Sequence, residues 1–132
     1  ADLARLGEWV RLIDDGIRLR EAPGRGGTVI RELGKYTPLR VLGSSGAYFR
    51  VRAPGGVDGY VAASLTEPAD QPLGSQVATA GGAVLLEPDG DALVIAQLQP
   101  GAEVPVLGRY EGYLYVRAPS GHAGWMDADQ QE

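Results

Sequence analysis

Residues 29–61 read VIRELGKYTPLRVLGSSGAYFRVRAPGGVDGYV, and residues 94–126 read VIAQLQPGAEVPVLGRYEGYLYVRAPSGHAGWM. The two stretches begin 65 residues apart, and the same offset aligns Leu12–Ala63 with Val77–Ala128 without a gap. Sixteen of these 52 positions are identical, and several others, such as Leu12/Val77, Leu39/Val104 and Phe49/Leu114, exchange one apolar residue for another. An internal repeat of this length indicates two copies of one small module rather than a single larger fold.

Glycine and proline separate short apolar runs along the whole chain. The 132 residues include 20 Gly and 9 Pro, a pattern typical of all-β domains with tight turns. Apolar and polar residues alternate in Tyr48–Arg52, which predicts a strand with Phe49 and Val51 facing inwards. With the repeat, these features predict an all-β protein of two small β-barrels in tandem. The strands predicted in the two copies are Trp9–Ile13, Ile17–Arg20, Thr28–Leu33, Leu39–Val41, Tyr48–Arg52, Asp58–Val61, Leu93–Leu98, Val104–Val106, Tyr113–Arg117 and Ala123–Met126.

The repeat also sets the expected domain limits. Residues 1–65 form the first domain with an N-terminal extension, and residues 77–132 form the second. Between them, residues 66–76 (TEPADQPLGSQ) contain two prolines among mostly polar neighbours, which predicts a semi-rigid linker. The predicted core residues are Ile30, Leu33, Leu39, Val41, Phe49, Val51 and Val61 in the first domain, and Ile95, Leu98, Val104, Val106, Leu114, Val116 and Met126 in the second.

The two halves carry opposite charge. Residues 1–65 contain ten Lys and Arg against seven Asp and Glu, whereas residues 66–132 contain two against ten. The net charges of +3 and −8 sum to the −5 of the whole chain. Either the two modules attract each other weakly, or only the first module faces an anionic partner.

Several classes of protein are disfavoured by composition. The absence of cysteine excludes disulfides, thiolate metal sites and a cysteine nucleophile, but it fits both the cytosol and a bacterial envelope. No apolar run reaches the roughly 18 residues of a membrane span, and no signal peptide is visible. The abrupt start at Ala1 suits a mature or excised fragment. The acidic balance argues against nucleic-acid binding, which depends on several phosphate contacts.

Residues able to carry catalysis are few. His122 is the single histidine, and it stands beside Ser120 in a predicted turn, where neighbouring side chains seldom face each other. Glu87, Asp89 and Asp91 lack the spacing of a calcium loop. Because an enzyme needs a nucleophile, base or metal held in a cleft, the sequence predicts a non-catalytic protein with no cofactor and no metal site.

Each copy resembles a bacterial SH3-like domain of the SH3b type. That family combines a hydrophobic-x-Arg-x-x-Pro segment, a Val-Ile strand, a Val-x-Val-Leu-Gly strand, a Gly-Trp-Tyr-x-Val-Arg segment and a final Gly-Trp-Val. The matching segments here are Leu19–Pro23, Val29–Leu33, Leu39–Gly43, Tyr48–Arg52 and Gly59–Val61, then Val84–Pro88, Val94–Leu98, Val104–Gly108, Tyr113–Arg117 and Gly124–Met126. Tyrosine replaces the family's usual tryptophan at Tyr48, Tyr60 and Tyr113, and Leu85 and Leu86 replace an Arg-Ser type of pair. The resemblance implies a binding role in an exported bacterial protein, on peptidoglycan or its peptide cross-bridges, or against a catalytic domain.

Outward aromatic and basic side chains are the binding candidates. Aromatic faces stack on sugars and cover prolines, and Arg binds carboxylates through two parallel hydrogen bonds. The predicted ligand-binding residues are Tyr48, Tyr60, Arg50, Arg52, Tyr113, Tyr115 and Trp125, and Arg18 and Arg20 add basic surface. In the alternative, Tyr60 and Trp125 fill the barrel cores while Tyr48 and Tyr113 close the barrel ends.

Three functions remain open at this point. The first is a tandem module that targets cell-wall peptidoglycan in the periplasm or cell envelope. The second is a scaffold that packs against other domains of its parent protein or against a protein partner. The third, binding of an anionic polymer through the first module, is disfavoured by the acidity of the whole chain.

Overall fold

The computed structural model describes residues 8–128, in which every extended element belongs to one of two antiparallel sheets. The chain divides into two compact units, the first ending at Asp70 and the second beginning at Gln71. The first unit contains β1 (Trp9–Leu12), β2 (Ile17–Arg20), β3 (Val29–Leu33), β4 (Pro38–Ser45), β5 (Tyr48–Ala53), β6 (Val57–Ala62), a 3₁₀ turn (Ala63–Leu65) and β7 (Thr66–Pro68). The second contains β8 (Gly74–Ala78), β9 (Gly82–Leu85), β10 (Val94–Leu98), β11 (Ala102–Tyr110), β12 (Tyr113–Arg117) and β13 (Ala123–Asp127).

The two sheets share one strand order. The first runs β3-β2-β6-β5-β4-β1-β7, and the second runs β10-β9-β13-β12-β11-β8. Apart from the additional β7, each strand of the second sheet takes the place of the strand 65 residues earlier. The all-β class with two small SH3-like domains is thus confirmed.

Alternating side chains build the core of each unit. In β5 the buried residues Phe49, Val51 and Ala53 alternate with exposed or half-buried ones, as the sequence predicts. Most of the predicted core residues are at most 6% exposed, and they are Leu33, Leu39, Val41, Phe49, Val51, Val61, Leu98, Val104, Val106, Val116 and Met126. Burial of these side chains is the main contribution to the stability of so small a sheet.

The core prediction is wrong at Ile30, which is 40% exposed. Pairing of β2 with β3 moves from Leu19 opposite Arg31 to Arg20 opposite Val29, so Ile30 is the extra residue of a β-bulge. A bulge interrupts the two-residue period and turns its side chain away from the expected face. Its counterpart Ile95, in the same bulge of the second sheet, is half-buried against the core, as is Leu114.

The predicted linker, residues 66–76, is mostly part of the sheets. Thr66–Pro68 form β7 and pair with β1, while Gly74–Ala78 form β8 and pair with β11. The residues between these strands are 69–73. Arg11 on β1 helps to fix β7, because its Nε atom lies 2.6 Å from Oε2 of Glu67 and its side chain is only 5% exposed. A buried guanidinium requires such a partner.

Glycine allows β2 to approach β6 closely. A Cβ atom at Gly59 would lie 2.7 Å from Cγ of Leu19 and 2.9 Å from the carbonyl oxygen of Arg20. A Cβ atom at Gly124 would lie 2.6 Å from the carbonyl oxygen of Leu85 in the equivalent place. Each glycine therefore allows the close approach of two neighbouring strands, β2 and β6 in the first unit and β9 and β13 in the second.

In residues 8–128 no helix has both the length and the apolar character that a membrane span requires.

Candidate binding site

An open pocket of about 390 Å³ lies at the start of β2 in the first unit. Its polar wall comes from Arg18, Arg20 and Arg25, and Tyr48 at the start of β5 closes one side. The remaining lining residues are Gly16, Ile17, Ala62, Ser64 and Leu65. The alternation of Ile17–Arg20 explains this wall, because Ile17 and Leu19 enter the core and direct the two arginines outwards.

The loop after β2 holds one of these arginines in place. Nη1 of Arg20 donates to the carbonyl oxygens of Arg25, at 3.0 Å, and Gly27, at 2.9 Å. The loop itself is closed by a hydrogen bond from the amide of Glu21 to the carbonyl of Thr28 at 2.9 Å. Arg20 thus anchors the loop that brings Arg25 to the pocket, while Arg18 is exposed. None of the residues described as lining this pocket is acidic.

Tyr60 and Arg50 continue the basic surface across the sheet. Tyr60 on β6 lies opposite Arg20 of β2 on one side and opposite Arg50 of β5 on the other. Tyr48 and Tyr60 are both half-buried, so each ring has an exposed part, and Arg50 is exposed. The structure therefore groups Tyr48, Tyr60 and Arg50 with the arginines of β2, although only Tyr48 of these three lines the pocket.

Arg52 lies outside this pocket in an ion pair. Its Nε atom is 2.8 Å from Oδ1 of Asp58, and Nη2 is 3.2 Å from Oδ2. The hydrogen bond from Arg52 lowers the pKa of Asp58 below its usual value, and the charge of Arg50 acts in the same direction. Because both side chains of the pair are partly exposed, the pair stabilises the fold little. Arg52 is thus engaged with Asp58 and does not line the pocket.

The corresponding surface of the second unit is filled by its own side chains. Tyr115, Trp125, Leu85 and Leu107 form a buried cluster. The ring centroids of Tyr115 and Trp125 are 5.0 Å apart, with an angle of 52° between the planes, and Tyr110 meets Trp125 edge-on at 6.4 Å. Tyr115 is 4% exposed and Trp125 is 3% exposed. Both side chains were predicted to face outwards and are buried instead; Trp125 fills the core, as in the alternative interpretation of the sequence.

Tyr113, the remaining aromatic candidate, faces the acidic loop, which contains Glu87, Asp89 and Asp91. Burial raises the pKa of its hydroxyl, and the charges of Asp127, Asp89 and Asp91 raise it further. A Cβ atom at Gly90 would lie 3.9 Å from the Tyr113 oxygen. Tyr113 is half-buried, and its surroundings repel the anionic ligands that suit the first unit.

The acidic loop is held by a hydrogen bond between two of its own residues. The amide of Asp91 donates to a carboxylate oxygen of Asp89 at 3.0 Å, so the loop is closed by its own hydrogen bonds. Over residues 8–128 there is no group of three or more His, Cys, Asp and Glu side chains arranged to hold a metal ion.

The residue that the sequence argument missed is Arg25. It lies in the segment Pro23–Gly27, whose glycines predict a loop but not its path. Its place in the pocket depends on the hydrogen bonds from Arg20 to the loop carbonyls, which no local pattern reveals.

Comparison with known proteins bears on the first unit. The family model for the bacterial SH3 domain matches residues 15–67. This segment runs from the turn before β2 to β7 and includes Tyr48 and the three arginines of the pocket. A comparison with curated proteins finds no match.

Solved structures resemble the chain over nearly its whole length. NlpC2 from Trichomonas vaginalis matches with a TM-score of 0.51 and 15% identity, over 97% of this chain and 48% of that one. NlpC1 from the same organism matches with a TM-score of 0.52 and 15% identity, over 94% and 44%. At this identity the likeness concerns the fold alone, and the chain spans about half the length of these two proteins. The pocket of Arg18, Arg20, Arg25 and Tyr48 thus lies within residues 15–67, the segment that matches the family model of the bacterial SH3 domain.

Proposed function

We propose that this protein is a non-catalytic binding module of an exported bacterial protein, and that it targets peptidoglycan in the cell envelope. The basic pocket of the first unit is the observation that carries the proposal. Bacterial SH3 domains are a binding family, and here that domain presents three guanidinium groups and a tyrosine around one open pocket.

Carboxylates are the ligand chemistry that this pocket favours. A guanidinium donates two parallel hydrogen bonds to a carboxylate, and such charge-assisted bonds are stronger than neutral ones. The stem peptides of peptidoglycan offer carboxylates beside short aliphatic side chains, which the ring of Tyr48 is able to cover. Because Arg20 is already held by the loop carbonyls, less conformational entropy is lost on binding.

Co-sedimentation with insoluble peptidoglycan, at low and at roughly physiological salt, tests the proposal. We expect retention at both salt concentrations and a loss of about tenfold or more in affinity for Arg18→Ala, since a hydrogen bond to a charged group contributes about 1.5–3 kcal/mol. Tyr48→Ala should also weaken retention, because it removes the ring that covers the aliphatic side chains. Arg40→Ala is the matched control, because Arg40 is an exposed arginine on β4 outside the pocket.

Two outcomes would contradict the proposal. If the chain stays in the supernatant at both salt concentrations, the pocket does not bind the wall. If Arg40→Ala weakens retention as much as Arg18→Ala, the attraction comes from net charge and not from the pocket. Circular dichroism of each variant shows whether it remains folded.

A docking role is the second candidate, and exposed apolar side chains in the second unit favour it. Leu86 and Leu93 are 55% and 68% exposed, and the neighbouring Val94 is 46% exposed. Leu86 and Leu93 are joined by a backbone hydrogen bond of 2.9 Å, so they form one apolar patch, which is typical of protein contacts. On this candidate, Leu93→Ser would abolish binding to the partner domain and leave sedimentation unchanged.

A further inference from the structure

A second open groove, of about 500 Å³, lies in the second unit. One side is formed by residues 95–98 of β10 with Gln99 after the strand, and the other is the turn of residues 118–122 between β12 and β13. Leu98 and Ala118, both buried, form the apolar floor. Ser120 and His122 line the rim, and none of the residues that line this groove carries a fixed charge.

The same place in the first unit is spanned by an arginine side chain. Nη1 of Arg31 on β3 lies 3.5 Å from the carbonyl oxygen of Pro54, in the turn between β5 and β6. It is also 4.0 Å from the position of a Cβ atom built on Gly55. The Arg31 side chain therefore crosses from the edge strand to this turn.

Ala96 takes the position of Arg31 in the second sheet. Arg31 lies opposite Leu19 and Ala96 lies opposite Val84, and in both sheets the bulge is the residue before. Alanine cannot reach the turn, so the groove that Arg31 crosses in the first unit is open in the second. The replacement of Arg31 by Ala96 thus accounts for the open groove in the second unit.

The open groove keeps the hydrogen-bonding groups that an arginine would use. Pro119 occupies the place of Pro54 and supplies the same carbonyl oxygen. Ser120 stands where Gly55 stands, so its hydroxyl adds an acceptor near the position that the Arg31 guanidinium takes in the first unit. Residues 66–132 also carry a net charge of −8, and this field favours a cationic occupant.

The backbone of β10 can hold an extended partner. Among the described strands, β10 is the last of its sheet and pairs only with β9. An edge strand presents unpaired N–H and C=O groups along its free side, and an extended peptide can pair with them as an added strand.

From these observations we propose that the groove beside β10 binds an extended peptide segment whose arginine or lysine side chain lies where Arg31 lies in the first unit. The segment pairs its backbone with β10, and its cationic group reaches the Pro119 carbonyl and the Ser120 hydroxyl. This site goes beyond the proposed function, because it selects a cation and lies on the other unit from the basic pocket.

The test is a titration of the ¹⁵N-labelled chain with the peptide acetyl-Ala-Ala-Arg-Ala-Ala-amide, followed by two-dimensional NMR. We expect saturable shifts in β10 and residues 118–122, and at least tenfold weaker binding of the peptide in which neutral citrulline replaces arginine. Ala96→Arg should abolish binding, because the new side chain fills the groove as Arg31 does. Thr79→Arg, which adds the same charge at an exposed turn outside the groove, should leave binding unchanged.

Arg31→Ala provides a second, opposite variant. It should open the groove of the first unit and add peptide-induced shifts in residues 53–57. The proposal is overturned if no shifts occur at about 10 mM peptide, since an interaction of about 4 kcal/mol is half-saturated near 1 mM. Equal binding by folded Ala96→Arg would overturn it too. Peptidoglycan retention does not enter this readout, so either proposal can fail while the other stands.

Discussion

Replacement of Gly59 by alanine tests the strand contact that supports the basic pocket. A Cβ atom there would lie 2.7 Å from Cγ of Leu19, 2.8 Å from its Cδ1 and 2.9 Å from the carbonyl oxygen of Arg20. The leucine side chain can rotate, but the carbonyl belongs to the backbone of β2. Overpacking of a close contact costs about 1–3 kcal/mol, and we expect the upper end because backbone must move.

An opposing effect is smaller than this clash. Alanine restricts the unfolded chain more than glycine does, and where the native conformation suits it this stabilises a protein by about 0.4–1 kcal/mol. The net loss expected for Gly59→Ala is therefore about 2–3 kcal/mol. Gly43→Ala is the control, because a Cβ atom on Gly43 meets nothing within 4 Å, and its stability should stay within about 1 kcal/mol of the parent chain.

Urea unfolding followed through resolved amide resonances measures this loss in the first unit separately from the second. We expect the midpoint of the first unit to fall in Gly59→Ala and that of the second unit to remain unchanged. Amide shifts in β2 should show that Arg18 and Arg20 are displaced with their strand. If Gly59→Ala and Gly43→Ala unfold alike, β2 does not approach β6 as described, and the pocket wall loses its basis.

Three other predictions concern the core, the ion pair of the buried Arg11 and the acidic loop. Trp125→Ala should lower the free energy of unfolding of the second unit by about 3–5 kcal/mol. Tyr60→Ala in the first unit should cost less than half as much, because Tyr60 is half-buried. Urea unfolding of both variants compares the two losses of stability. Glu67→Ala should lower the free energy of unfolding of the first unit by about 2–3 kcal/mol, because it leaves the guanidinium of Arg11 buried without the Glu67 carboxylate. Calorimetry should show a smaller loss of stability for the double variant Glu67→Ala with Arg11→Met. The pKa of Tyr113 is raised above its ordinary 10.0. The contribution of the neutral Tyr113 to stability is therefore complete below about pH 10 and is lost as the pH rises through the folded-state pKa. The ultraviolet titration of the parent chain minus that of Tyr113→Phe measures this pKa.

Strands that carry their own pattern were predictable from the sequence. Phe49 and Val51 alternate with polar neighbours, and the turn that follows contains proline and glycine, so local chemistry alone indicates β5 and its inward face. β7 has no such pattern, because Thr66–Pro68 is short and polar and becomes a strand only by pairing with β1. Ile30 was misplaced for a related reason, since a bulge depends on the register between two strands and not on either strand alone.

The candidate site was predictable in part. The alternation of Ile17–Arg20 directs Arg18 and Arg20 outwards, and the same reasoning identifies Tyr48. The alternation of side chains does not distinguish an aromatic residue that is exposed to solvent from one that neighbouring side chains cover. Trp125 is covered because Leu85 and Tyr115 lie beside it, and those two residues come from strands far apart in the sequence.

The aromatic residue at the equivalent position of β6 and β13 is half-buried in the first unit and buried in the second, because its cross-strand neighbours differ. Tyr60 lies between Arg20, whose guanidinium is held by the carbonyl oxygens of the next loop, and the exposed Arg50, and Tyr60 remains half-buried. Trp125 lies between Leu85 and Tyr115, which pack against the indole and remove it from solvent. The same strand order thus gives a basic, partly open surface in one unit and a closed apolar cluster in the other. A ligand of the second unit must therefore bind elsewhere. The groove that Ala96 leaves open beside β10 offers such a ligand both the free backbone edge of β10 and the acceptor oxygens of Pro119 and Ser120.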